Sequence, residues 1–244
     1  MLIEFADGAY AWEDFNEKIQ QIVRENNFKD IAEIGGGANP LLSLKFIEEN
    51  GLNYDIYDVS EEELVKASPG YSKKILDFEK TTPVASSQYD FIFAQMTLEH
   101  IRDTRTFYAN VYKSLKPGGR ACFFFACITS LPSTVNFLIP EYLSSKILLA
   151  LQPFRKNEKH GKFKAYYKWC YGPTTKNISR FTSSGFEVLS YTGYFGHSYY
   201  QKIGVLNYLE KIKTRFLLKH PATYLCSYAH VLLQRTETNR NIPK

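Results

Sequence analysis

Long apolar runs are missing from this chain of 244 residues. None approaches the roughly 18 to 20 residues that cross a bilayer as a helix, so no membrane-spanning helix is expected. Residues 1–7 lack a basic stretch followed by an apolar one; no export signal is read there, and a cytoplasmic protein is expected. Cysteine is scarce and scattered. Cys122, Cys127, Cys170 and Cys226 make neither a CxxC pair nor a Cys/His spacing suited to zinc, and they read as buried reduced thiols. Acid is scarce in one half only. Residues 1–100 hold 19 acids and 8 bases, whereas residues 101–244 hold 6 acids and 22 bases, so the formal net charge of +5 hides an acidic first half and a basic second half. The second half is the one expected to meet an anion, although a solvated basic surface would look the same.

What is present is an alternation of strand and helix signals over a chain with 44% hydrophobic residues, enough for one sizeable core. A helical stripe at Phe15, Ile19, Ile22 and Val23 precedes a short strand at 30–34. A helix at 41–50 closes on Gly51, and a second strand at 52–58 ends on acid. Ser60 caps a turn of three glutamates, which suit the positive end of a helix. A short strand follows at 71–76. Residues 89–94, Tyr-Asp-Phe-Ile-Phe-Ala, are nearly all apolar, the mark of a strand covered on both faces. A helix at 104–115 is broken by Lys116-Pro117-Gly118-Gly119, ahead of another buried strand at 120–128. This order predicts a doubly wound parallel sheet, whose ligand crevice lies at the carboxyl ends of its strands. A single domain is expected over 1–244: an N-terminal helix or lid (1–27), a core (28–128), a Pro-bearing, aromatic and basic insertion (129–175), and a C-terminal part (176–235) with a helix, a strand, a second helix at 199–219 and a long last strand at 223–235. Residues 236–244 read as a loose tail.

The polar clusters fall at strand ends. The first strand closes on Glu33 and runs into Gly35-Gly36-Gly37. Glycines there can take positive φ and let bare N–H groups approach a nucleoside-bearing ligand. Asp58, Asp77 and residues 95–100 occupy comparable positions. Asp55 rivals Asp58, but its register places it mid-strand.

Taken together, Glu33-Ile34-Gly35-Gly36-Gly37, Asp58 in Ile-Tyr-Asp-Val-Ser, Asp77-Phe78, the run from Tyr89 through Gln95, Met96 and Glu99 to Ile101, and Leu115-Lys116-Pro117-Gly118-Gly119 resemble, in order and spacing, the motifs of class I S-adenosylmethionine-dependent methyltransferases. The resemblance covers residues 28–128 by motif and 177–235 by topology. It departs at Asn39, which stands in the third glycine position and is followed by Pro40. The resemblance implies a Rossmann-like sheet of seven strands, mostly parallel, with an antiparallel last strand and a lid insertion after the fifth. It also implies S-adenosylmethionine as cofactor, held by Glu33, Gly35, Gly36, Gly37, Asp58, Val59, Asp77, Phe78, Gln95 and Met96. A nicotinamide or flavin dinucleotide also uses a glycine-rich first turn. Its pyrophosphate wants a helix N-terminus unshielded by acid, however, and Glu33 would repel it while attracting a cationic amino-acid moiety.

For the transfer, the chain must align a nucleophile and, for a hydroxyl, take its proton. Glu99 and His100 are the candidates. His100 has a suitable reference pKa of about 6.5, and a purely structural role as a turn cap is the competing reading. Some relatives bind a divalent metal through Glu-x-x-Glu-His; Met96 occupies the first position here, so no metal is expected. Tyr166, Tyr167, Lys168 and Trp169, with Lys162 and Lys164, offer flat faces and charge for a sugar, phosphate or carboxylate, or else form the insertion's own small core. Tyr10 and Trp12 stand where they could fold over the cofactor. In 199–219, Ile203, Leu206, Leu209, Ile212 and Phe216 fall at helical spacing among basic residues, a pattern that packs on its own domain or lies on an anionic bilayer. The expected reaction is O-methylation of a small or carrier-linked anionic acceptor: a sugar, an isoprenoid-linked intermediate or a natural product. An RNA or protein methyltransferase is an alternative, although no Asn/Asp-Pro-Pro-Tyr/Phe motif follows the fourth strand and nucleic acid is not the expected partner. A catalytically inactive binding subunit is another.

Overall fold

The computed structural model describes residues 1–80, 86–138, 164–197, 199–200 and 203–236. Its strands are β1 (Leu2–Asp7), β2 (Asp30–Ile34), β3 (Asn53–Asp58), β4 (Ser72–Ile75), β5 (Tyr89–Gln95), β6 (Leu115–Ala126), β7 (Phe186–Phe195) and β8 (Tyr228–Arg235). They form one sheet in the order β1-β7-β8-β6-β5-β2-β3-β4. All neighbours are parallel except β8, which runs antiparallel between β6 and β7. The helices are α1 (Ala11–Glu25), α2 (Leu44–Asn50), α3 (Glu61–Lys66), α4 (Thr104–Ser114), α5 (Leu131–Leu138), α6 (Thr175–Ser183) and α7 (Gly204–Lys219).

The strands with continuous apolar runs take the centre. Phe91, Phe93, Phe123, Phe124 and Phe125 are all fully buried, and α1 lays Phe15 against Phe93, Phe124 and His230. Ser43, Ser60, Asp103 and Thr174 each accept a backbone N–H at the start of α2, α3, α4 and α6, which fixes where those helices begin. At the amino ends of the strands, Lys116 Nζ bridges Asp30 at 2.6 Å and Asp90 at 2.7 Å, tying β2, β5 and β6 together. The chain winds outward from β2 to β4, then returns to β5 beside β2. That reversal opens a crevice at the carboxyl ends of β2 and β5.

Three expectations need correction. The sheet has eight strands, not seven, because residues 2–7 add β1 in parallel to β7 at the edge; Leu-Ile-Glu-Phe-Ala-Asp is apolar enough for a strand, but its partner lies almost 190 residues away, with Leu2 opposite Ser190, which no local pattern reveals. The helix ends at Ser114, as expected, but β6 begins at Leu115 rather than 120, with residues 116–119 as a bulge within it: β5 pairs Tyr89 with Leu115 and Phe91 with Arg120, and Gly118 takes φ +73° in the excursion. The last strand begins at Tyr228, preceded by a 3₁₀ turn at Thr223–Leu225. Part of the insertion, with Lys162 in it, lies outside the described residues.

Candidate active site

The loop after β2 is folded around its glycines. Gly35 and Gly37 take φ +77° and +43°, conformations that disfavour any side chain. A Cβ on Gly35 would stand 2.3 Å from Thr97 Oγ1, one on Gly36 would stand 2.9 Å from Glu33 Cδ, and one on Gly37 would stand 3.0 Å from Asp58 Oδ2. Three bare Cα atoms therefore draw the ends of β2, β3 and β5 against one loop. Gly35 N–H donates to Tyr57 O at 2.7 Å and Asn39 N–H to Gly36 O at 3.0 Å, so Asn39 closes the turn where a third glycine was expected.

Glu33 lies beneath this loop rather than open to the crevice. Its carboxylate accepts the Leu41 N–H at 3.0 Å and the Tyr54 hydroxyl. Burial pushes its pKa up to about 7, against the opposing pull of those two hydrogen bonds. Tyr54 escaped sequence reasoning: it reaches Glu33 because β3 pairs beside β2 with Ile56 opposite Glu33, and a residue two places back shares that face. Thr97 was missed as well. Its hydroxyl donates to Gln95 O at 3.1 Å, and only the fold shows that it backs Gly35.

Asp58 ends β3 half-buried, accepts the Ser60 N–H at 2.9 Å, and has its pKa raised by burial, with the Ser60 and Val59 N–H groups opposing. Val59 beside it is exposed. Asp55 is engaged elsewhere, accepting from Lys74, Ser72 and Tyr89. Asp77 follows β4, accepts the Glu79 N–H at 2.9 Å and lies 3.5 Å from Lys80 Nζ. Phe78 presents no free face: it is buried between Tyr57 and Phe107, whose rings lie at 5.3 and 6.2 Å. Gln95 ends β5, and Met96 after it is forced to φ +51°.

One 3₁₀ turn, Leu98–His100, then carries the two candidate proton acceptors. Glu99 is buried, its Oε2 has no hydrogen-bond partner, and desolvation raises its pKa to about 8. Its backbone carbonyl accepts the N–H groups of Tyr166 at 2.7 Å and Tyr167 at 3.0 Å. His100 Nδ1–H donates to the Lys164 carbonyl at 3.1 Å, the tautomer that leaves Nε2 as the basic nitrogen. The returning insertion is thus docked on the turn at the end of β5. Its strain is local: of the five non-glycine residues with positive φ among those described, three are Met96, Tyr167 and Trp169.

The aromatics of that segment divide. Tyr166 and exposed Lys168 lie at the rim, with Lys164 Nζ 5.5 Å over the Tyr166 ring. Tyr167 is buried. Trp169, expected to face an acceptor, stacks on Tyr108 at 5.3 Å and meets Phe181 edge-on, so the domain core takes its ring. Trp12 sets its ring edge-on against Phe124 and Tyr228 at 4.8 and 4.9 Å. The four thiols are buried and free.

Residues 32–121 match the model of a methyltransferase domain. A malonyl-[acyl-carrier protein] O-methyltransferase of Calditerrivibrio nitroreducens is 29% identical over 111 residues, 44% of this chain and 43% of that relative. The match thus spans less than half the length of the curated relative. Among solved structures, geranyl diphosphate C-methyltransferase from Streptomyces coelicolor A3(2) aligns with TM-score 0.54 at 8% identity, covering 92% of this chain and 80% of that one. A SAM-dependent methyltransferase from Archaeoglobus fulgidus aligns with TM-score 0.52 at 14% identity, covering 94% and 100%. At such identities the likeness to these two is one of fold.

Proposed function

We propose that the chain is a class I S-adenosylmethionine-dependent methyltransferase, as the match of residues 32–121 to a methyltransferase domain supports, and that it methylates an oxygen of a small or carrier-linked anionic acceptor. The glycine loop carries the proposal: a Cβ at Gly35, Gly36 or Gly37 would collide with Thr97, Glu33 or Asp58, so bare Cα atoms are what let this backbone sit at the junction of β2, β3 and β5, at the mouth of the crevice. S-adenosylmethionine supplies a methyl group made electrophilic by a cationic sulfur. Asp58 and Val59 would hold its ribose, Asp77 the adenine end, and the N–H groups of Gly36 and Gly37 with Gln95 and Met96 the amino-acid end. Glu33 backs that end from below, and a cation above the loop would favour its ionised form over the neutral one that burial favours.

The turn at 98–100 and the segment docked on it form the acceptor side. Exposed Arg102, Arg105, Lys164 and Lys168 give that rim a positive charge, which fits a carboxylate or phosphate. The relative's malonyl-carrier substrate favours a carboxyl oxygen, already an anion and able to attack without a base. A hydroxyl would give up its proton to Glu99 or His100. In both cases acceptor, methyl carbon and sulfur must align, and excluding water from the crevice keeps the donor for its substrate. We place the reaction in the cytoplasm, at or near the inner face of the membrane.

Calorimetry with S-adenosylmethionine and its demethylated product tests the pocket. Wild type should bind both at roughly micromolar Kd, and Asp58→Ala should weaken both by about tenfold or more, or ~1.4 kcal/mol. Folded wild type that binds neither overturns the proposal. Mass spectrometry of malonyl-loaded carrier protein, phosphorylated sugars and isoprenoid-linked intermediates after incubation then identifies the acceptor by a gain of one methyl group.

A further inference from the structure

Helix α7 is packed with its faces reversed. The residues it buries are Glu210, Thr214 and Leu217, only 9%, 5% and 3% exposed, while Val205, Leu209, Ile212 and Phe216 stand 73%, 55%, 46% and 60% exposed. The four apolar residues follow one another at steps of four, three and four, so they form a single stripe. At about 100° per residue that stripe lies roughly 140° around the helix from the buried face. Of the two readings open for Ile203, Leu206, Leu209, Ile212 and Phe216, packing on the domain is the one the structure contradicts, since all five are exposed. Burying each such side chain would contribute about 1.5 to 3 kcal/mol, a gain this helix forgoes within the chain.

The inner face is specifically fitted. Glu210 accepts from Lys213 Nζ at 2.6 Å and lies 3.5 Å from His197 Nε2, and a Cβ on Gly196 would stand 2.5 Å from Thr214 Oγ1. Rotating the helix to bury its apolar stripe would break these contacts. The exposed stripe is flanked by Lys211, Arg215 and Lys219, all exposed, and the helix's only acid is the buried Glu210, which Lys213 pairs. Tyr208 on the helix and Tyr224 in the following turn add exposed aromatic rings.

We propose that the outer face of α7 seats on an anionic lipid bilayer, with the apolar stripe in the acyl boundary and the cations at the headgroups. Among the described residues no helix is long and apolar enough to cross a membrane, and α7 lies in the plane of the surface. A second copy of the chain fits the face poorly, because a two-fold contact would set cations against cations with no exposed acid on the helix to pair them. α5 leaves the carboxyl end of β6 with Leu131, Phe137 and Leu138 also exposed. Both helices follow strand ends on the crevice side of the sheet, so docking brings the crevice rim to the lipid surface, where a lipid-linked acceptor would arrive. That last consequence rests on the proposed methyl transfer; the docking does not.

Co-sedimentation with vesicles tests the docking without acceptor or cofactor. Wild type should bind vesicles of equal parts phosphatidylglycerol and phosphatidylcholine, bind pure phosphatidylcholine roughly tenfold less well or worse, and release as salt rises. The Leu209→Ser/Phe216→Ser and Lys211→Glu/Arg215→Glu variants should each lose about tenfold or more in affinity while melting close to wild type, since these side chains are exposed and the Phe216 ring meets His220 just past the same helix at 5.0 Å. The composition and salt series needs only wild type and stands apart from any folding defect. The proposal is overturned if wild type ignores anionic vesicles, if both variants bind them as well as wild type, or if sedimentation shows a dimer that the serine variant converts to monomer without vesicle binding. Vesicle binding with no methyl transfer would leave the docking standing and remove the transfer reaction alone.

Discussion

Glu99 hangs from the turn after β5 with one carboxyl oxygen unpartnered, among the buried thiols of Cys127 and Cys170. Desolvation holds it protonated up to about pH 8, whereas in the unfolded chain it would ionise near its ordinary value of 4.5. Between those values the folded state binds the extra proton, so this residue's contribution to stability is present below the unfolded pKa and is lost as pH rises towards 8. Glu99→Gln should therefore melt close to wild type at pH 5 and above it at pH 8, by an amount on the order of a few kcal/mol. Comparing variant with wild type at each pH cancels Glu33, which shifts in the same direction to about 7. An unchanged difference across this range would show that the carboxyl is not buried as described. The same group separates the acceptor chemistries: if it takes the proton of a hydroxyl, turnover rises with pH until about 8 and falls by roughly 10²-fold or more in Glu99→Gln. A carboxylate acceptor would give a flat profile in both proteins.

At the scale of elements, the decisive contact is between the turn at the end of β5 and the segment 164–171. Tyr166 and Tyr167 N–H groups reach Glu99 O, Ile128 N–H reaches Cys170 O at 2.9 Å, and buried Asn177 Nδ2 holds Trp169 O at 3.0 Å. Trp169 anchors that segment by stacking on Tyr108. Trp169→Ala should destabilise the domain by about 3 kcal/mol and raise the acceptor KM, with S-adenosylmethionine affinity unchanged because the glycine cradle lies elsewhere. A variant with raised cofactor Kd and unaltered acceptor KM would reverse these assignments. Trp169 illustrates why the aromatic run was only half legible. Composition marked 162–171 as a segment with a task, but whether a ring meets ligand or core depends on what packs beneath it.

Over the whole molecule, charge follows the division that the proposed function makes between donor and acceptor. The first hundred residues hold 19 of the 25 acids and contain the glycine loop proposed for the cofactor; the rest hold 22 of the 30 bases and contain the segment proposed for the acceptor side. The acceptor KM should therefore rise severalfold as salt is raised well past about 0.1 M, where the screening length is ~10 Å, while cofactor affinity moves little. A KM that ignores salt would detach the basic half from acceptor binding.

The sequence alone determined the strand ends where polar groups gather, because an acid followed by glycines, or an apolar run closing on acid, is a local property of the chain. It likewise determined the central strands and the Ser60-capped start of α3, which depend on neighbouring residues. Tertiary structure alone decided that Glu33 turns under its loop to meet Tyr54, that Phe78 and Trp169 enter the core, and that β1 completes the sheet. It also decided which way α7 faces. Periodicity tells which side chains share a face but is silent on which face turns inward, since that depends on the shape and polarity of the surface the helix meets; here Gly196 and His197 offered a polar seat, and the apolar stripe was left outside.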